Sequence, residues 1–391
     1  MPTLRHPTRA QTLTLGALAV LAAASPVAAV ALSHHSARSA LSAAAVTPLP
    51  PAPPPPATAA PEAPLATAVP VATAAPPPPA AAPPAPARPA AAAGLTMAGC
   101  PPPPAPPPRS VPPWHPAVLV PESALPPPAP ADAPAASLDA LSGKGMWVWQ
   151  YRRTEGGDPQ AIVDRAAAAG LHQIWVRVAD SQDGFYGDDE LSAIVPRAHR
   201  RGIDVVAWGF PHLYDPVADA AWSKAVLDWR ATSGDRVDGF SADIEMASEG
   251  VALTPRRAAL YLSLVRQARD GRPLIATVYP PTDHFMAAYP FAAMAPYIDA
   301  YAPMEYWECR DPGAAAAEAI ARLAKLRPVH LIGQAFSFGD VAGRVDLPSA
   351  AELERFMAVC RSRGAVGVSF WVWQSMTAAE WAELTAFPWV R

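Results

Sequence analysis

From Val237 to Glu245 the chain reads Val-Asp-Gly-Phe-Ser-Ala-Asp-Ile-Glu, a short apolar stretch that carries three acidic residues. Side chains alternate faces along a strand, so Ser241, Asp243 and Glu245 share one face and Phe240, Ala242 and Ile244 the other. Two carboxylates on one half-buried face raise each other's proton affinity. A carboxylic acid that keeps its proton near neutral pH beside a second carboxylate is the general-acid arrangement that expels a poor oxygen leaving group. Asp243 and Glu245 are therefore the candidate catalytic pair. Asp238, next to Gly239 at the start of the stretch, reads as a turn residue.

Such a pair needs a rigid scaffold, and the sequence around it alternates strand-like with helix-like segments. The expected strands are 145–150, 172–179, 204–209, 237–245, 273–279, 298–306, 329–336 and 366–373. Between them fall helical segments at 158–170, 191–201, 218–230, 255–270, 314–326 and 350–363, several opened by Asp-Pro or Thr-Pro and closed by Gly. Eight strands alternating with helices predict the α/β class, as a single (β/α)8 TIM barrel. No Gly-x-Gly-x-x-Gly turn follows a strand, so an open dinucleotide-binding sheet is not supported.

Barrel active sites collect at the C-terminal ends of the strands. The residues expected there are Trp149 and Gln150, Arg177 and Asp180, Trp208 and Phe210, then Thr277 and Tyr279 after the acidic strand. Met304, Glu305, Tyr306 and Trp307 follow on strand six, Gln334 on seven, and Trp371, Trp373 and Gln374 on eight. Flat aromatic faces suit the C–H faces of sugar rings, and phenols, amides and carboxylates suit their hydroxyl edges. Tyr306, Trp371, Trp373, Gln374, Met304, Tyr279, Arg177, Trp208, Gln334 and Trp149 are the candidate substrate-binding residues, with a polysaccharide or oligosaccharide as the partner. Arg177 has a structural reading of equal weight, as the ion-pair partner of Asp180 or Asp243.

Asp238-Gly-Phe-Ser-Ala-Asp-Ile-Glu245 resembles the Asp-Gly-x-Asp-x-Asp-x-Glu strand-four motif of the chitinase-like glycoside hydrolases, family 18. Met304-Glu-Tyr306 resembles that family's Met-x-Tyr, and Gly367-Val-Ser-Phe-Trp371 its Gly-x-x-x-Trp. The Asp243-x-Glu245 pair and Trp373-Gln374 also resemble the family 25 muramidases. The first resemblance implies that Glu245 is the general acid and then base, and that Asp243 steers a substrate acetamide acting as internal nucleophile. Tyr306 would position that acetamide, and Trp371 would floor the subsite. Ser241 and Trp307 stand where the family has aspartates. With those acids absent, a conventional second carboxylate stays open among Glu305, Asp180, Asp283 and Glu308. A non-catalytic glycan-binding barrel is the alternative reading.

Of the 52 prolines in 391 residues, 34 fall between Val46 and Ala135, so the folded unit is expected at 138–391, with a disordered Pro/Ala-rich linker at 33–137. Residues 111–120 interrupt that tract with hydrophobes that suit docking on the folded part. Arg5 and Arg9 precede an uncharged apolar run over residues 11–32, which reads as a signal peptide or a membrane tether. Both readings place the protein outside the bacterial cytoplasm, secreted or held at the outer envelope face, as a monomer. A net charge of -4 without a basic block argues against nucleic acid. Neither the three cysteines nor His212 and His284 have metal-site spacing, the 181–189 loop lacks a calcium loop's ligand periodicity, and no serine sits in a nucleophile elbow; no cofactor or metal is expected. Cys309 and Cys360 are compatible with a bridge or with two buried thiols.

Overall fold

The computed structural model describes residues 118–132, 134–337 and 348–389, all within one compact unit of the chain. The expected signal or anchor, most of the Pro/Ala tract and Cys100 lie outside the described residues. Among the described residues, nine strands form one sheet: β1 (Gly143–Val148), β2 (Gln173–Asp180), β3 (Gly184–Phe185), β4 (Asp204–Phe210), β5 (Gly239–Asp243), β6 (Leu274–Val278), β7 (Ala300–Glu305), β8 (His330–Gln334) and β9 (Gly367–Trp371). All but β3 are parallel, and pairing of β1 with both β2 and β9 closes them into an eight-stranded barrel. The short β3 runs antiparallel to the end of β2 as a hairpin on the rim.

Helices return the chain from the strand ends to the next strand start: α1 (Pro159–Ala168), α2 (Asp188–His199), α3 (Pro216–Asp228), α4 (Pro255–Ala268), the short α5 (Asp283–Ala288) and α6 (Phe291–Met294), α7 (Pro312–Leu323), α8 (Ala350–Ser362) and α9 (Ala378–Ala386). Their starts follow from local chemistry. Asp158, Asp215, Thr254 and Asp311 each accept a backbone N–H of the first turn and are followed by proline, whose fixed φ suits that position. Ser349 and Thr377 form capping boxes with Glu352 and Glu380. The sequence pattern did not reveal β3, α5, α6 or α9. Lys144 on β1 donates to the carbonyls of Leu384 and Phe387, so its cation sits at the C-terminal end of α9.

The barrel interior is filled unevenly, and this makes the site. Trp147, Trp175, Trp208 and Trp371 crowd the side formed by β1, β2, β4 and β9, where the Trp147 and Trp175 rings stack at 4.7 Å. Opposite them β5, β6 and β7 present Ser241, Ile275, Thr277, Ala300 and Ala302. Large rings on one side and small groups on the other leave space near the top of the small side. The bottom is plugged: Leu141 is fully buried, and its carbonyl accepts from Gln173 Nε2 at 3.0 Å and faces His330 Nδ1 at 2.9 Å. A Cβ on Gly367 would stand 2.0 Å from that carbonyl, so only glycine fits beneath the plug.

Two expectations change. The folded part begins before residue 138, because residues 118–132 and 134–136 are hydrogen-bonded to α4, to Tyr214 and to Asp299. Cys360 is a buried free thiol while Cys309 is in a disulfide, so the Cys309–Cys360 bridge is not formed.

Candidate active site

All five residues of β5 are buried, and the strand ends at Asp243, so Glu245 stands just beyond it on the same face. Phe240 and Ala242 pack outward with the helices, which commits Ser241 and Asp243 to the barrel interior. A cavity of 130 Å³ opens there, lined by Trp147, Asp243, Glu245, Thr277, Met304, Tyr306, Ile332 and Trp371. Two larger hollows, of 320 and 330 Å³, lie between α3 and α4 and between the β1 loop and α2, away from this carboxylate pair. Chemistry rather than size marks the smaller one: it joins two carboxylates, a phenol and two indoles, with no cationic side chain among its described lining residues.

Asp243 is 7 % exposed, and its Oδ1 has no hydrogen-bond partner. Burial first and the neighbouring Glu245 second push its carboxyl well above the usual range, while Arg177 pulls the other way. Two like charges this close do not both form readily, which favours the protonated form of Asp243. Tyr279 donates its hydroxyl to Glu245 Oε2 at 3.2 Å, and burial and the Glu245 charge push that phenol above its ordinary value. Tyr289 donates to the Ile244 carbonyl at 2.5 Å, fixing the backbone between the two acids. Tyr306 stands edge-on to Phe336 at 5.1 Å, with its phenol raised by burial and by the Asp243 and Glu245 charges.

Ser241 pairs with Thr277 at 2.8 Å, hydroxyl to hydroxyl, beneath Asp243. Asp238 is structural: its Oδ2 accepts from the Val205 N–H at 2.7 Å and holds His199 Nε2 at 2.9 Å. Hydrogen bonds to Asp238 and Asp235 outweigh burial and carry His199 up to about 9. On the rim, Trp371 contacts Trp149, Trp147 and Trp208 with ring centroids 6.0, 5.8 and 5.5 Å away. Trp149 is 41 % exposed, a flat face open to solvent beside the cavity.

The structure thus brings Asp243, Glu245, Tyr279, Met304, Tyr306 and Trp371 together, with Trp149 at their edge. Other expected residues sit elsewhere. Gln334 is fully buried, its amide spent on the Glu308 N–H and the Phe336 carbonyl, so it holds a loop. Trp373 turns outward against Trp381 and donates to Glu155 at 2.9 Å. Gln374 keeps both amide atoms buried without a partner and does not line the cavity. Trp208 is 2 % exposed and serves as interior packing under the Arg177 guanidinium, 5.5 Å from its ring. Arg177 pairs with Asp180 at 3.2 Å, the structural reading, although its Nε is buried and unpartnered.

None of the four alternative carboxylates lines the cavity. Glu305 faces the helices, where burial pushes it up to about 8. Asp180 is held by Arg177 and two turn N–H groups, and Asp283 is exposed and pairs with Arg322. Glu308 follows Trp307 and spends its N–H on Gln334. Sequence reasoning left Trp147 and Ile332 out of the site and named Thr277 as a strand-end residue without choosing it as a substrate contact. The alternation that selected Asp243 and Trp149 points to Thr277, its register partner, and to Trp147, two residues before Trp149. Among the described residues no group of three or more His, Cys, Asp or Glu side chains is placed to hold a metal ion.

No protein-family model matches the chain, and no curated protein matches it. Among solved structures it is similar to the Bacillus cereus spore cortex-lytic enzyme SleL, at 13 % identity and a TM-score of 0.48, over 63 % of this chain and 74 % of that one. It is similar to a chitinase from Chromobacterium violaceum at 12 % identity and 0.46, over 62 % and 98 %. It is also similar to a glucosidase from Croceicoccus marinus at 13 % identity and 0.47, over 66 % and 68 %. At these identities the likeness is one of fold.

Proposed function

We propose that the barrel is a glycoside hydrolase acting on a polysaccharide, with Glu245 as general acid and base and Asp243 as its helper. The observation that carries this reading is the buried Asp243 carboxylate, with one oxygen unpartnered, beside Glu245 in a cavity walled by indoles and a phenol. In the reaction, Glu245 gives its proton to the glycosidic oxygen as the C1–O bond breaks, and the leaving sugar departs as an alcohol. The Asp243 oxygen suits an N–H donor, which favours a 2-acetamido sugar. Its amide oxygen attacks C1 while Asp243 accepts the N–H, and water activated by the Glu245 carboxylate then opens the cyclic intermediate. Tyr279 holds Glu245, Tyr306 reaches the same cavity, and Trp371 with Trp149 offers the faces on which sugar rings stack.

The cell-wall substrate, the export signal at 1–32 and a monomeric enzyme displayed on a linker belong to the same proposal. A non-catalytic glycan-binding barrel is favoured by one observation, the Ser241–Thr277 hydroxyl pair in place of an acid beneath Asp243. The deciding experiment measures reducing-end release from chitin oligomers, peptidoglycan and neutral polysaccharides by the full chain and by Glu245→Gln. Activity lost in the variant supports the hydrolase. Silence from both, with tight binding to one polymer, overturns it in favour of the binding barrel.

A further inference from the structure

A barrel chain that starts β1 at the bottom has no need to visit the top first, yet this one does. Val120 donates its N–H to the Tyr214 carbonyl at 3.1 Å, on the rim loop after β4. The chain then descends beside α4: the Leu125 carbonyl accepts from Arg256 at 2.6 Å, and the Ala129 N–H donates to Ser263 Oγ at 2.9 Å. At the foot, the Pro134 carbonyl takes Arg266 and Arg269, and the Ala136 N–H reaches Asp299 at 3.1 Å. Asp299 is 5 % exposed and pairs with both arginines, at 3.4 and 3.3 Å. Such a density of side-chain bonds to an extended backbone marks a built docking track.

At its upper end the track meets the loops that carry the mouth. Arg257, 3 % exposed, donates to the carbonyls of Leu213 at 2.8 Å, Tyr214 at 3.1 Å and Val120. Glu122 accepts from Thr254, the cap of α4. Leu213 adopts φ +57, a left-handed conformation unfavourable for a non-glycine residue, and it is held from both sides. Its N–H goes to Asp219 at 2.8 Å and its carbonyl to Arg257. One residue earlier, the His212 carbonyl accepts the Ala252 N–H at 2.8 Å, and Ala252 lies in the loop between β5 and α4 that carries Glu245. Val120, Arg257, the 212–214 loop and the 245–252 loop are therefore one hydrogen-bonded series.

We infer that residues 118–132 and 134–136 form a brace for the mouth of the barrel, with Arg257 the positioning residue that passes its hold to the loop bearing Glu245. The brace is independent of what the cavity binds; only its catalytic arm rests on the proposed hydrolase.

The test uses the full chain with the surface pair Val120→Pro and Glu122→Ala, and separately Arg257→Gln. Hydrogen exchange is read in 211–214 and 246–252, with α7 and β8 as internal controls, and kcat and KM are measured on the polymer that wild type hydrolyses. The brace predicts exchange at least fivefold faster in both rim segments for the surface pair, controls unchanged, and a roughly tenfold fall in kcat with KM held. Unaltered exchange at 246–252 once Val120 is released overturns it, and so does a uniform rise across the controls. If wild type hydrolyses nothing, the functional reading fails and the exchange arm still decides the brace.

Discussion

Replacing Glu245 with glutamine should stabilise the protein while abolishing its activity, and the two effects share one cause. Glu245 and Asp243 are two residues apart on one face, about 6–7 Å by strand geometry. At an effective dielectric of 20, like charges at that distance repel by about 2.5 kcal/mol. Burial and Glu245 hold the Asp243 carboxyl above its ordinary value, so the fold loses stability as pH rises from the unfolded pKa of 3.8 through the raised folded one. Glu245→Gln removes the Glu245 share of that loss. With half the repulsion discounted for solvent at the cavity mouth, and about 2–4 °C per kcal/mol for a domain of this size, Tm rises by about 3–5 °C at alkaline pH. At acid pH, where Asp243 is neutral in both the folded and the unfolded state, the gap closes. Loss of the proposed general acid lowers kcat/KM by about 10²–10⁴-fold, equivalent to about 3–5 kcal/mol. Thermal melts from pH 4 to 9 and reducing-end assays read both. A Tm for Glu245→Gln equal to or below wild type at pH 9 refutes the coupled-carboxylate argument, and retained hydrolysis refutes the catalytic assignment.

Trp149→Ala removes an exposed platform, so affinity for polymer should fall about 2–10-fold by titration calorimetry while Tm stays within about 2 °C. His199→Gln should destabilise by about 1–2 kcal/mol after allowing for its partial exposure. Its folded pKa of about 9 exceeds the unfolded 6.5, so the deficit is full below pH 6.5 and disappears as pH rises through about 9. Asp299→Ala leaves Arg266 and Arg269 buried without their counter-charge and should cost about 3–5 kcal/mol in denaturant unfolding. Conversely, Gln334→Leu should alter the 305–308 loop and stability more than KM, because the Gln334 amide faces backbone rather than the cavity.

The sequence alone determined the barrel and its acidic strand. Strand and helix periods, Asp-Pro starts and Gly stops are local signals, and every strand of the barrel falls within two residues of its expected position at both ends. Alternation along 237–245 placed Asp243 and Glu245 on one face, because the period of a strand is two wherever it packs. The resemblance over Met304-Glu-Tyr306 and Gly367–Trp371 marked three more cavity residues, Met304, Tyr306 and Trp371. What local pattern cannot carry is which strand-end residue points at which neighbour. Trp373 and Gln334 look like rim residues in one dimension, yet the turn after β9 swings Trp373 onto Trp381, and the Glu308 N–H claims Gln334. Only the closed barrel sets four indoles against the small β5–β7 side and so opens a cavity beside Asp243. Most of the brace was hidden for the same reason, although the hydrophobes of 111–120 already suited docking. A proline-rich stretch has no core of its own, and residues 118–132 and 134–136 are held by arginines on α4 more than a hundred residues away.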